Sequence, residues 1–311
     1  MHELAEALAE VLGAGTVSEL QRLSGGASRE TFRFRADGRS LVLQRQRGGY
    51  SRDIAHEAQV VQAAGAAGVP VAELVAWSAQ PSAIGSAYMV LTAVEGETIA
   101  RKILRDQQFA TARQVLPAQL GAALARLHAI DPATVSFLAA ADQLAEYRSV
   151  LDQTGRAHPA FELAFRWLAA HVPASHPAVL VHGDFRLGNV IVGEHGLNAV
   201  IDWELAHLGD PMEDLGWLCV KAWRFGSALP VAGVGQYQQL FDAYEAAGGV
   251  PVDPQAVRWW EVFGTLKWGI ICITQGLAHT SGQARSHELA AIGRRVCENE
   301  HDLFLALEGS W

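Results

Sequence analysis

Cysteine is scarce in this chain, long apolar runs are missing, and like charges never cluster into a block. The three cysteines, Cys219, Cys272 and Cys297, are far apart and odd in number, which argues against a zinc site and against a disulfide framework. No segment reaches the roughly 18 consecutive apolar residues needed to span a bilayer. The opening MHELAEALAEVLGAG has no basic stretch before an apolar one, so it reads as an acidic amphipathic helix and not as a signal peptide. The expected location is the cytoplasm, with no membrane partner. Lysine and arginine number 24 against 33 acidic residues, a net charge of −9, and the basic residues are scattered. A nucleic-acid partner is therefore not expected. Repeats, low-complexity tracts and long linkers are also missing.

Half of the 311 residues are hydrophobic and 18% are charged, the balance of an ordinary globular protein with material for one large domain or two lobes. The first ninety or so residues read as a small sheet. ELQRL, the turn SGGAS, the alternating TFRFR and SLVLQRQ (Ser40 to Gln46) give three strands. A helix is predicted from about Arg52 to Ala67, ended by Val69-Pro70, and two more strands near Leu74 to Ser78 and Ala87 to Thr92. Beyond Gly96 long helical patterns take over. Leu116, Leu120, Leu124, Leu127 and Ile130 share one face, and further helices are expected near 139–153, 160–171, 212–223, 236–247, 254–279 and 285–308. The boundary is placed at Val94, giving an N-terminal nucleotide-binding lobe of residues 1–94 and a catalytic, acceptor-binding lobe of residues 95–311.

What the chain does contain is concentrated between Val181 and Leu218. Asp184 is followed five residues later by Asn189, and after a hairpin-like interval the apolar run NAVI ends at Asp202. Phosphoryl transfer needs a group to receive or orient a hydroxyl proton and oxygen ligands for Mg²⁺, and this order and spacing supply them: Asp184 as base, Asn189 and Asp202 on the metal. A carboxylate closing a buried strand is costly unless solvated or metal-bound. Arg186 is a candidate for the transferred phosphate, whereas His182 reads as a loop anchor. In the turn Ser24 to Ser28, Gly25, Gly26 and Ser28 allow backbone N–H groups close to phosphates, though a plain hairpin turn has the same composition.

Sites of this kind pair a strand-three lysine with a helix glutamate. Glu57 stands on the expected helix, but the lysine position is Gln44, followed by Arg45. Either a bulge turns Arg45 inward to pair with Glu57, the preferred reading, or Gln44 makes neutral contacts and Arg186 supplies the charge. Asp210, before Pro211, and Asp214 read as structural caps. Trp217, Trp223, Trp259, Trp260 and Trp268 read mainly as core, with some available to an acceptor by stacking or by attraction to an ammonium.

With HGDFRLGN followed by IDWELAHLGDPMEDL, the chain resembles the aminoglycoside phosphotransferase (APH) family of protein-kinase-like small-molecule kinases, over nearly its whole length. Within that family it looks most like the branch of kinase domains fused to acyl-CoA dehydrogenases. The resemblance implies an α+β two-lobe protein-kinase-like fold: a small antiparallel-sheet N-lobe with one helix and a larger, mainly helical C-lobe. It implies ATP with Mg²⁺, adenine against the backbone near Thr92 to Val94, and a small-molecule hydroxyl as acceptor, with hydroxy-acyl compounds suggested by the branch. An aminoglycoside or choline-like amine is the alternative acceptor, and a nucleotide-binding pseudokinase the alternative role. An aminoglycoside site calls for a cluster of carboxylates, yet residues 254–279 contain only Glu261.

Overall fold

The computed structural model describes residues 1–23, 29–46, 54–81 and 83–309. Helix α1 (His2–Leu12) buries Ala7 and Leu8 and stops at Gly13, whose φ of 61° only glycine adopts freely. Strands β1 (Val17–Arg22), β2 (Arg29–Ala36) and β3 (Arg39–Gln46) follow. The β2–β3 turn places Asp37 and Gly38 at φ 45° and 82°, the hand that matches strand twist. Phe32 lies opposite Leu43 and Phe34 opposite Leu41, and all four are buried with Leu8 beneath the sheet.

Helix α2 (Ile54–Ala66) precedes β4 (Leu74–Ser78) and β5 (Tyr88–Thr92), completing an antiparallel sheet in the order β1-β2-β3-β5-β4. Val60, Val61 and Ala64 of α2 belong to the large core further along the chain, so this helix ties sheet to helices. That position lets it carry Glu57 to the seam between them.

The rest is mainly helical: α3 (Ala100–Arg105), α4 (Ala110–His128), α5 (Gln143–Gln153) and α6 (Pro159–Ala170). Short strands β6 (Val179–Val181), β7 (Val190–Gly193), β8 (Gly196–Val200) and β9 (His207–Gly209) form two antiparallel pairs, β6 with β9 and β7 with β8. Helices α7 (Pro211–Cys219), α8 (Tyr237–Ala246), α9 (Pro254–Thr280), α10 (His287–Gly293) and α11 (Val296–Glu308) complete the fold. This is the expected α+β kinase-like architecture, with a sheet lobe and a helical lobe. Among the described residues no helix is long and apolar enough to cross a membrane.

Two helices depart from expectation. Helix α4 starts before Leu116 and runs through Pro117, because burial of Ala112, Leu116 and Leu120 outweighs the roughly 3 kcal/mol a proline costs inside a helix. The helix expected over 285–308 is broken between α10 and α11. At the end of α10 a Cβ on Gly293 would stand 2.7 Å from the Gly276 Cα of α9, so the two helices meet there backbone to backbone.

Candidate active site

The loop between β6 and β7 is held from below. His182 is buried; its Nδ1 accepts the Asp184 N–H (3.2 Å) and its Nε2 donates to the Ile201 carbonyl (3.1 Å). Those two bonds select the neutral ring, and burial lowers its pKa. Gly183 has φ 76°, and a Cβ there would lie 2.5 Å from the Leu205 carbonyl oxygen, so no other residue fits this turn. Asp214 on α7 accepts the His182 N–H (2.7 Å), the Gly183 N–H (2.9 Å) and a hydrogen bond from His128 Nε2 (3.2 Å). Burial raises a carboxyl of this kind, but the His128 bond and the nearby histidines outweigh it and hold Asp214 below the usual range. Asp214 is thus a clamp on the loop and not the helix cap expected from sequence. Asp210 is the cap: its Oδ1 accepts the Met212 N–H (2.8 Å), with Pro211 at the first helical position.

Three donors converge on the Asp184 carboxylate. Arg186 Nε (3.0 Å) and Trp217 Nε1 (2.8 Å) donate to Oδ1, and Asn189 Nδ2 (2.6 Å) donates to Oδ2. Asn189 Nδ2 also donates to the Asp184 carbonyl (3.0 Å), which orients the amide and leaves its oxygen as an acceptor. Asp202 sits at φ 67°, a left-handed conformation that Asp tolerates better than most residues. Its side chain reaches solvent, yet it stands in the cleft where desolvation, Glu204, Asp184 and Glu57 together push its pKa up to about 6. A carboxylate so crowded by others favours a cation.

On the sheet side the cation is Arg29, at the start of β2. It forms an ion pair with Glu57 of α2 and donates to Gln44 Oε1 (3.3 Å). Burial works against the Arg29 charge, but Glu57, Glu204 and Asp202 outweigh it and hold its pKa above the ordinary value. The expected Arg45–Glu57 pair is not formed. Arg45 instead pairs with Glu30 at 2.7 Å and lies over the Phe32 ring. Strand alternation explains this: Arg45 and Glu30 are direct cross-strand partners, on the other face of β3 from Gln44. No sequence motif marked Arg29; its only signal was a basic residue just after the glycine turn. Gly25, Gly26 and Ser28 lie outside the described residues. Thr92 ends β5 and Val94 lies just beyond it; Thr92 N–H donates to the Glu73 carbonyl and Ala93 N–H to Ser40 O, whereas the Val94 backbone makes no hydrogen bond among the described residues.

The donor set suits Mg²⁺, a hard ion that prefers a few protein oxygens together with phosphates and waters. Asp202 and the Asn189 amide oxygen are such donors. Among the described residues no group of three or more His, Cys, Asp or Glu could close a metal site of its own.

The other side of Asp184 is aromatic and cationic. Trp217 and Trp223 have ring centroids 5.3 Å apart, and Trp223 and Trp268 4.9 Å. Lys267 Nζ stands 4.8 Å from the Trp217 ring, Arg186 4.9 Å from Trp223 and Arg295 5.8 Å from Trp268. Glu261, the single carboxylate on this stretch of α9, is bound by Arg224 (2.5 Å) and by the Tyr237 hydroxyl (3.0 Å).

A family model described as Phosphotransferase enzyme family, APH, matches residues 19–260. The acyl-CoA dehydrogenase family member 11 of Gallus gallus is 30% identical over 328 residues, covering 93% of this chain and 41% of that protein. Across that protein and the mouse family members 10 and 11, the chain spans 24% to 41% of its relatives' length. A crystal structure from Ralstonia eutropha JMP134 superposes with a TM-score of 0.77 at 23% identity, covering 99% of this chain and 98% of that one. Spectinomycin phosphotransferase APH(9)-Ia, crystallised with ADP and spectinomycin, gives 0.70 at 16% identity, with 98% of each chain covered. These two establish the shared fold. The match over residues 19–260 includes the sheet, the Asp184 loop and Asp202, and by it the chain belongs to the APH phosphotransferase enzyme family.

Proposed function

We propose that this phosphotransferase uses ATP and Mg²⁺ to phosphorylate a hydroxyl of a small molecule, and that the acceptor is a hydroxy-acyl compound. The observation that carries the reading is the Asp184 carboxylate, fixed by Arg186, Trp217 and Asn189 beside the carboxylate-crowded Asp202. In this reading Asp184 accepts a hydrogen bond from the acceptor hydroxyl, aims its oxygen at the γ-phosphorus, and takes the proton as the new P–O bond forms and the bond to ADP breaks. Arg29 holds phosphate oxygens from the sheet side, in the place of a strand-three lysine, and Arg186 lends its charge at Asp184. Asn189 and Asp202 would hold Mg²⁺, which when bound neutralises phosphate charge. Residues 1–94 hold the nucleotide, with adenine at the backbone of Thr92 to Val94, and residues 95–311 hold the acceptor. An ATP donor is in keeping with a cytoplasmic setting.

Two observations favour a hydroxy-acyl acceptor over a polycationic or ammonium one. The tryptophan faces beside Asp184 are already covered by cations of the protein itself, Arg186 on Trp223 and Lys267 on Trp217, so those faces are taken before an added ammonium arrives. The one carboxylate of α9, Glu261, is buried and neutralised by Arg224. The acyl-CoA dehydrogenase names of the relatives point the same way.

The test is ADP release from Mg-ATP against hydroxy acids, hydroxyacyl-CoAs, choline-like amines and aminoglycosides, with Asp184→Asn as the blank. Release with the acyl compounds, lost in the blank, is expected. Release with aminoglycosides alone would overturn the acceptor class. Tight ATP binding with no release from any acceptor would favour a nucleotide-binding pseudokinase.

A further inference from the structure

Trp217 stands beside the reacting centre, but no chemistry of the reaction calls for an indole. It is buried on α7, three residues after Asp214, and that spacing puts both side chains on one helix face. Asp214 holds the backbone ahead of Asp184, and Trp217 holds its carboxylate. The seat for the ring is supplied by α9. Gly264 leaves room where a Cβ would stand 3.1 Å from Trp217 Cε3, and one turn later Lys267 brings its ammonium to 4.8 Å from the ring. Lys267 is itself buried and held in place: its Nζ donates to Gln143 Oε1 (3.0 Å) and stands 3.8 Å from Glu213 Oε1.

We infer that Trp217, backed by Lys267, is a positioning residue that fixes which oxygen of Asp184 faces the acceptor. This rests on the assignment of Asp184 as the group that receives the acceptor hydroxyl. An ionised carboxylate offers about four lone-pair sites, two on each oxygen. Arg186 and Trp217 occupy both sites on Oδ1, and Asn189 occupies one on Oδ2. The remaining Oδ2 site is left for the acceptor hydroxyl. Without the indole N–H, Oδ1 keeps only Arg186 and gains an open site, and the carboxylate is held less firmly about its terminal torsion, a broad and soft one. A cation over the ring draws electron density from the indole and strengthens its N–H as a donor, so Lys267 acts through Trp217. Ordinary core packing of a tryptophan requires neither the N–H bond nor the cation.

Trp217→Phe separates the two, since it keeps a ring in the seat and removes only the N–H donor. We expect kcat to fall by about tenfold to a hundredfold, as for a misplaced catalytic group, with the KM for ATP and AMP-PNP affinity within about twofold of wild type. Lys267→Gln should lower kcat by a smaller factor, and Lys267→Arg should restore it. A readout free of turnover is the indole N–H proton signal of the unliganded protein. One tryptophan signal should move upfield in Asp184→Asn, and the same signal should be missing from Trp217→Phe. Asp184→Asn leaves Trp217 in place, so this shift is measurable even where Trp217→Phe does not fold. Wild-type kcat in a folded Trp217→Phe protein, or no indole shift in Asp184→Asn, would overturn the inference. An indole shift in a protein that phosphorylates no acceptor would support the contact while counting against the kinase reading, so the two fail separately.

Discussion

The two sides of Asp184 are built differently, one from carboxylates around an arginine and the other from tryptophans under cations. Towards the sheet, Asp202, Glu204 and Glu57 stand around Arg29, and the Asp202 carboxyl is pushed up to about 6. Towards the helices, Arg186, Lys267 and Arg295 each cover a tryptophan, and each also faces a carboxylate, Asp184, Glu213 and Glu298 in turn. A carboxylate raised by its neighbours, as Asp202 is, gains from a cation beside it. An aromatic wall that already holds its cations has no use for another. In the proposed reading, metal and nucleotide would take the first side and an uncharged or anionic acceptor the second.

The largest effect should come from the residue between the sides. Asp184→Asn is expected to lower kcat by about a thousandfold, leaving AMP-PNP affinity near wild type in calorimetry; near-normal turnover would remove Asp184 from the reaction. On the sheet side, Asp202→Asn should lower Mg-ATP affinity by about a hundredfold, yet raise the melting temperature of the unliganded protein at pH 7.5. The sign follows from the raised pKa. Folding costs nothing through Asp202 below its unfolded pKa, near 4, the cost grows as pH rises to about 6, and it is complete above that. Because the side chain reaches solvent, about 1 kcal/mol of relief is expected after screening, and none at pH 4. An unchanged melting temperature at pH 7.5 would show that Asp202 is not strained by its neighbours.

Arg29→Met should raise the KM for ATP by about tenfold, and adding Gln44→Lys should recover part of it by restoring a cation near Glu57. Arg45→Ala should change that KM by less than about twofold, since its half-buried pair with Glu30 lies on the face of β3 away from Gln44 and Arg29. A larger effect for Arg45 than for Arg29 would reverse the assignment of the phosphate-side cation. The smallest expected difference lies on the helix side: adding an ammonium to an otherwise accepted hydroxy compound should raise its KM by a few-fold, measured by ADP release.

Chemistry spaced closely along the chain was legible from residues alone. Asp184 and Asn189 are five apart and meet directly, at 2.6 Å. The β-hairpins were legible for a related reason, because alternation in TFRFR and a tight Asp37-Gly38 turn are local properties. Pairings between distant segments were not. Arg45 was a reasonable partner for Glu57 until the register of β2 against β3 put Glu30 opposite it. Asp214 looked like a helix cap because nothing in its surroundings along the chain reveals that His182, Gly183 and His128 converge on it. Trp217 and Lys267 are fifty residues apart, and their contact exists only because Gly264 lets α9 approach α7.

The amino-acid order by itself pointed to phosphoryl transfer, through the identities and short spacing of Asp184, Arg186, Asn189 and Asp202, and determined the succession of a sheet and then helices, through hydrophobic periodicity. Tertiary structure alone decided that Arg29 pairs with Glu57, what holds the Asp184 loop, and the different surroundings of its two sides. Those are sums over side chains brought together from six or more separate elements, and electrostatic energy depends on distance in space and on burial, not on separation along the chain.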